Sequence, residues 1–337
     1  MRKMFFCIDG HTGGNPVRMV MGGAPFLQGA TMSARRLDFL ARYDWIRRAL
    51  MFEPRGHDLM SGGFILPPLD PANDAAFLFM ETSGCLPLCG HGSVGMITFA
   101  LEHGLILPRG DLLRIEVPAG LLEARFTREG TRVTSVSFES VPSFLFARDV
   151  VISDPRFGRL RADIAYGGNF YAIIEPQEGY GGVADLGLAG IAEASPRIRR
   201  AFDAAINAVH PGDPSIRGVS HLIWSDALDP DGRGSSAAIF FGNNGIDHGP
   251  CGTGTAARLA QLAARGLLTV GQPFDQRSHV GTRFTGTIAG HVKVGSFDAI
   301  RPVLAGQAHV TGYNQIWTDS NDPFPEGFQV LHGAPLP

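Results

Sequence analysis

The 337-residue sequence has only four cysteines, no long apolar run and no large excess of either charge. Each shortage excludes something. No apolar stretch approaches the roughly 20 residues that cross a bilayer as a helix, so a membrane role is not expected. The opening stretch, residues 1–9, carries Arg2 and Lys3, but its apolar run is too short for the core of a secretory signal. The formal net charge of −3 offers no basic face to nucleic acid or an anionic membrane. Four cysteines in a chain this long make no disulfide framework. A reducing, cytoplasmic setting is expected, in which cysteines are buried, metal-bound or catalytic.

What is present is ample core material and much glycine. Apolar residues make up 44% and charged residues 18%, which fits a globular protein and not a disordered one. The length exceeds what one core usually supports, so two domains are expected. The 44 glycines point to tight turns and to places where backbone approaches a ligand. Two stretches stand out. Leu88-Cys89-Gly90-His91-Gly92-Ser93 and Pro250-Cys251-Gly252-Thr253-Gly254-Thr255 share the pattern Cys-Gly-x-Gly-[Ser/Thr]. Each runs into an apolar, helix-forming segment, and one lies in each half of the chain.

Periodicity and turn formers predict the surrounding elements. Strands at 4–8 and 17–21 flank a loop at 9–16. A helix spans 32–51, with Ser33 as its cap. Strands at 63–66 and 75–81 lead to Cys89, and a helix covers 90–102 with Gly104 beyond its end. Strands follow at 112–117, 121–126 and 133–139. A glycine turn enters a strand at 165–174. A helix at 196–209, the counterpart of the one at 32–51, shows Arg197, Arg199 and Arg200 on a solvated face. Strands at 220–224 and 237–241 and a loop at 242–250 deliver Cys251. The helix at 252–265 ends at Gly266. Late strands at 284–288, 291–294 and 303–311 precede a surface tail containing Pro323, Pro325, Pro335 and Pro337. The order repeats, which predicts two duplicated α/β lobes, the second beginning near Arg128.

The chemistry follows from the paired motif. A helix N-terminus presents unpaired amides and partial positive charge, which lowers a thiol pKa and holds a carboxylate. Two such termini facing each other would place a sulfur acid/base on each side of one small anion. That suits proton removal from one face of a carbon and return on the other. Three other readings compete. Either cysteine could be a buried small hydrophobe. Cys85, Cys89 and His91 have spacing open to zinc, although Cys251 has no CxxC partner. Cys89 and Cys251 could join under oxidation, which would inactivate an enzyme. Cys7 and Cys85 read as structural.

The sequence resembles the proline racemase family, which includes hydroxyproline epimerases and 3-hydroxyproline dehydratases. The resemblance rests on Asp9-Gly10-His11-Thr12-Gly13-Gly14-Asn15-Pro16-Val17-Arg18, Glu53-Pro54-Arg55-Gly56-His57, Leu88-Cys89-Gly90-His91-Gly92, Gly167-Gly168-Asn169-Phe170-Tyr171-Ala172 and Asp247-His248-Gly249-Pro250-Cys251-Gly252-Thr253-Gly254-Thr255. It implies an α/β (α+β) fold like that of diaminopimelate epimerase: two pseudo-symmetric lobes, each a barrel-like sheet around a central helix. The lobes are expected at 1–127 and 128–311, with 312–337 crossing back to the first and the active site between them. Cys89 and Cys251 are implied as the proton donor and acceptor. Gly90, His91, Gly252 and Thr253 would hold the substrate carboxylate through backbone amides, and Asp247 with His91 would meet the ring nitrogen. No cofactor and no metal are implied. The implied partner is a small imino acid, hydroxyproline or proline; a homodimer is compatible with the family.

Within the family the dehydratases carry Thr at the second cysteine position, so Cys251 favours two-base inversion, and Gly92 leans towards a hydroxylated substrate. The expected reaction is 2-epimerisation of 4-hydroxyproline, with proline racemisation and 3-hydroxyproline dehydration as alternatives. A non-catalytic imino-acid binder or a redox sensor is the alternative from another class. Three stretches depart from the family pattern: His248-Gly249 replaces Arg-Ser, Asn15 replaces Glu, and residues 81–87 replace an Asn-rich loop. His248, His57 and Asp58 are candidates for the pocket wall, and His11 for a hydrogen-bonding residue beneath the site.

Overall fold

In the computed structural model, residues 2–242 and 245–329 are described. Among them the first half runs β1 (Arg2–Thr12), β2 (Asn15–Gly22), α1 (Met32–Met51), β3 (Ser61–Leu66), β4 (Ala75–Glu81), α2 (Gly90–Glu102), β5 (Leu112–Val117), β6 (Gly120–Glu129) and β7 (Arg132–Glu139). The second runs β8 (Ser143–Asp154), β9 (Gly158–Tyr166), β10 (Phe170–Ile174), α3 (Val183–Ala205), β11 (Val209–His210), β12 (Asp213–Arg217), β13 (Val219–Ser225), β14 (Gly234–Phe241), β15 (Gly245–Ile246), α4 (Gly252–Ala264), β16 (Phe274–Ser278), β17 (Arg283–Val294) and β18 (Phe297–Gly306). The closing strand is β19 (Ala308–Asp319).

Strand pairing makes the duplication explicit. In the first half the ladder is β19–β1–β2–β3–β4–β5–β6–β7, with β2/β3 and β4/β5 parallel. In the second it is β8–β9–β10–β13–β14–β16–β17–β18, with β10/β13 and β14/β16 parallel. Strand β18 then pairs β8, which closes an eight-stranded barrel. In both ladders a helix makes each parallel crossover, as parallel connections require: α1 and α2 in the first, α3 and α4 in the second. Helix α2 packs against β1, β2, β3, β7 and β19, and α4 against β8, β9, β10, β17 and β18. Each is therefore surrounded by its own sheet.

Burial explains the layering. Strand β4 is apolar on both faces: Phe77 and Phe79 join the core around α2, while Ala76, Leu78 and Met80 join the core beneath α1. A strand with period-two side chains can serve two helices only when both faces are apolar. Helix α1 supplies Phe39, Ile46 and Leu50 to that outer core.

Several expectations need correction. The boundary expected between residues 127 and 128 falls inside β6, which pairs with β7 as a hairpin; the ladder passes to the second half between Glu139 and Ser143. The returning segment starts at Ala308 rather than 312, because β19 runs antiparallel to β1 from Thr12 back to Arg2. The 9–16 loop shrinks to Gly13-Gly14, since Asp9–Thr12 stay paired with β2. Helix α1 is capped by Thr31, whose hydroxyl accepts from the Ala34 amide at 3.1 Å; Ser33 instead donates to Asp213. Helix α3 begins at Val183, breaks at Gly187 (φ 67°) and runs through Pro196, with the Ser195 hydroxyl on the Ile191 carbonyl at 2.6 Å. It ends at Ala205, short of the expected 209. The strands β8 and most of β9 had no counterpart in the sequence reading. Pro335 and Pro337 of the tail, and Asn243 and Asn244 of the loop before Cys251, lie outside the described residues.

Candidate active site

Cys89 and Cys251 occupy the N-cap positions of α2 and α4. Cys89 is extended, whereas Cys251 sits at φ 61°, a left-handed conformation uncommon outside glycine. The two helix N-termini meet head to head. A Cβ on Gly90 would lie 2.4 Å from the Gly252 Cα and 2.6 Å from the Thr253 nitrogen; one on Gly252 would lie 2.7 Å from the Gly90 Cα. Only glycine permits this approach. A Cβ at Gly92 would come 2.9 Å from the Cys89 sulfur, and one at Gly254 3.2 Å from the Cys251 sulfur. The second glycine of each motif thus leaves room for the thiol over the first helical turn. Gly92 has this packing role whatever it contributes to substrate choice.

The sequence-derived residues gather here with partners that sequence reasoning did not identify. On the first side, Ser61 Oγ lies 3.6 Å from the Cys89 sulfur, and His91 Nδ1 3.6 Å from it. On the second, the Tyr171 hydroxyl lies 3.4 Å from the Cys251 sulfur and 2.5 Å from Thr253 Oγ1. Asn15 joins the halves. Its Nδ2 donates to Asp247 Oδ1 at 2.9 Å and lies 2.9 Å from His91 Nε2, while its Oδ1 accepts the His248 amide at 3.1 Å. Because the Asn15 amide is the donor, His91 Nε2 is the acceptor and Nδ1 carries the hydrogen. The neutral imidazole therefore carries its N–H on the nitrogen nearer Cys89, with Nε2 3.8 Å from the same sulfur. Signals for the missed partners were weak. Tyr171 lies inside a motif without a role, His221 inside an expected strand, and Ser61 just ahead of one.

Burial dominates the electrostatics. It pushes the Cys89 thiol up to about 12, with the Glu81 charge adding; hydrogen bonds from Ser61 and the Gly92 amide pull the other way. Cys251 is pushed well up by burial and then by Asp247, against the Tyr171 hydroxyl and the Gly254 amide. The expected lowering by the helix N-termini is thus not the net effect at either thiol. The amides act in that direction, but desolvation outweighs them. Burial also raises Asp247 to about 7, against hydrogen bonds with Cys251 and Asn15, and lowers His91 to about 4. A second buried pair adjoins these groups. Glu81, raised by burial to about 8, lies 3.8 Å from His221, which burial lowers to about 3. The His221 ring rests 4.8 Å from that of Tyr171.

The remaining candidates lie further out. Cys85 packs in the core under α1, apart from Cys89 in the core around α2, so the two do not share a ligand set. Cys7 joins the same outer core as Cys85, and all four thiols are free. The His57 ring accepts the Leu59 amide, and the Asp58 carbonyl accepts Thr82. His248 reaches the site through its backbone, its ring facing His279 at 5.9 Å. His11 accepts the Gly14 amide in the tight turn and faces His309.

The doubled α/β fold has counterparts among known proteins. The family described as proline racemase matches residues 7–329. The chain belongs to the proline racemase family. A 4-hydroxyproline 2-epimerase from Shewanella loihica is 49% identical over 332 residues, covering 98% of this chain and all of that one. A hydroxyproline epimerase from Agrobacterium vitis, solved with bound trans-4-hydroxy-L-proline, superposes with a TM-score of 0.88 at 30% identity, over 99% of this chain and 98% of that one. A probable proline racemase from Agrobacterium radiobacter, with bound carbonate, gives 0.90 at 30% identity over 97% and 96%. Membership of the family accounts for the doubled fold.

Proposed function

We propose that this protein inverts the α-carbon of 4-hydroxyproline, interconverting trans-4-hydroxy-L-proline and cis-4-hydroxy-D-proline. The observation that carries this reading is the meeting of two cysteine-headed helix N-termini at Gly90 and Gly252, in a chain 49% identical to a 4-hydroxyproline 2-epimerase. The substrate carboxylate would take the amides of Gly90, His91, Gly252 and Thr253, where two helix ends balance its charge. Asp247 would accept from the ring ammonium, and His91 Nε2 would join it by exchanging the Asn15 amide for the ammonium. One sulfur, as thiolate, takes the α-proton; the other, as thiol, donates a proton to the opposite face. The Cα–H bond on one side breaks as one forms on the other, so the product leaves the two sulfurs with exchanged protonation.

The raised thiol pKa values fit this scheme. A thiolate beside Asp247 is costly by itself, and the ammonium of a bound substrate would supply the positive charge that offsets it. His91 Nδ1–H and Ser61 can steady the Cys89 thiolate, and the Tyr171 hydroxyl that of Cys251. Free thiols at both positions suit a reducing, cytoplasmic compartment. The lobes are read as residues 1–140 with the returning β19, and 141–306, each supplying one thiol.

Incubation in D₂O with 4-hydroxyproline, proline or 3-hydroxyproline, followed by α-deuterium incorporation and optical rotation, tests the reading. Exchange and inversion are expected with 4-hydroxyproline. Faster exchange with proline would reassign the substrate, a cyclic imine from 3-hydroxyproline would reassign the reaction, and no exchange with any of them would refute it. Cys89→Ser and Cys251→Ser should each abolish epimerisation; full activity in either would sink the two-base assignment.

A further inference from the structure

The basic face of α3 is not wholly solvated. Arg197 pairs with Asp154, and Arg199 turns into a cavity of about 290 Å³ between the two halves of the chain. Its wall includes Arg36 of α1, Ser83 before Cys89, Arg199, Arg217 of β12 and Ser220 of β13. No aspartate or glutamate belongs to that wall. Arg36 gives its Nε to the Cys85 carbonyl at 2.6 Å, and its buried Nη1 has no hydrogen-bond partner among the described residues. The buried Nε of Arg199 has none either. Among the described residues Arg217 makes a single side-chain hydrogen bond, 3.4 Å long, to Asn207 Oδ1. The nearby carboxylates act on these arginines only through space and hydrogen-bond elsewhere: Asp213 with Ser33 and the Ser215 amide, Asp203 with the Val219 amide, and Glu81 with Ser83. Burial works against the charge on both Arg36 and Arg199.

Buried guanidinium donors without acceptors are costly, and an oxyanion is the chemistry that satisfies them. We propose that this cavity binds a small oxyanion, a phosphate or a carboxylate, between Arg36 of one lobe and Arg199 of the other. Arg217 stands beside it as a third cation. The site is distinct from the amides of Gly90 and Gly252, yet it adjoins the thiol cluster. Ser83 bonds Glu81, and Ser220 Oγ lies 2.7 Å from His221 Nδ1. A bound anion ties α1 to α3 across the lobes.

Calorimetric titration of the full chain with sodium phosphate and, separately, sodium succinate tests this, in low-chloride buffer, without hydroxyproline and with it at saturation. One of the two anions is expected to bind in both conditions, and the tighter identifies the ligand. Arg36→Gln and Arg199→Gln should each weaken binding at least tenfold, while exposed Arg200→Gln leaves it unchanged. Should either glutamine variant unfold, Arg36→Lys, which keeps a cation but loses the fork, is expected to bind more weakly with an unchanged thermal transition. No binding of either anion, binding that survives both the Arg36 and Arg199 substitutions, or binding abolished by hydroxyproline would overturn the proposal.

Discussion

Cys89 and Cys251 head equivalent helices but face unlike neighbours, and the difference is testable one residue at a time. The Tyr171 hydroxyl is the side-chain donor that lowers Cys251, whereas Cys89 has Ser61 and His91. A hydrogen bond to a charged group is worth about 1.5–3 kcal/mol. Tyr171→Phe should therefore cut kcat by about 10- to 100-fold and shift the rising limb of the pH–rate profile to higher pH. A profile that does not move would deny Tyr171 its role. Asp247 gives a second residue-scale expectation. Its carboxyl titrates near 7 instead of 3.8, because burial favours the neutral form. The folded state thus binds the proton more tightly than the unfolded one. Stability is full below pH 3.8, declines as pH rises towards 7, and is flat above. Asp247→Asn should raise the thermal transition of the ligand-free protein at pH 8, with the gain disappearing near pH 4, while epimerisation is lost. An unchanged transition at pH 8 would contradict the buried, proton-binding carboxyl.

At the scale of elements, the decisive contact is backbone against backbone. Helices α2 and α4 approach end to end because Gly90 and Gly252 lack a Cβ. Neither glycine has positive φ, so alanine suits each helix locally and offends only across the junction. Gly252→Ala should lower the thermal transition only by the few degrees that a buried overpacked methyl costs, yet lower kcat/KM by about 100-fold, the scale expected when reacting groups part by an ångström. Kinetics and a melting curve on the same preparation check this; equal loss of both would mean the glycine serves folding. Helix α3 shows the same principle from another side. Its arginines look like a solvated face on a helical wheel, and tertiary packing turns Arg199 into a cavity wall.

For the whole molecule, the last described strand belongs to the first lobe. Strand β19 pairs β1 along its length, and the segment beyond it is held by Arg55 on Asp322 at 3.0 Å and by a bridge between Glu53 and Phe328. A chain ending at Gly306 would leave β1 without one neighbour and expose the core around α2, which packs on β19. Such a truncation should lose its cooperative thermal transition by circular dichroism. A sharp native-like transition would show that the first lobe folds without it.

The sequence by itself determined what is local or repeated. The boundaries of α1 and α2 and of strands β4 and β5 follow from side-chain period and turn formers, and the doubled Cys-Gly-x-Gly motif already placed a thiol at the head of each central helix. Strand β8 is not legible because its exposed and half-buried positions hide the alternation, and Pro196, which looks like a helix start, hides the first turns of α3. Only the tertiary structure decided which side chains meet. Ser61, Tyr171 and Asn15 come from three separate strands and carry no spacing relation to either cysteine. It also decided the sign of the thiol shifts. A motif shows the helix amides that stabilise a thiolate, but burial, which opposes them and wins here, is a property of everything folded around the site.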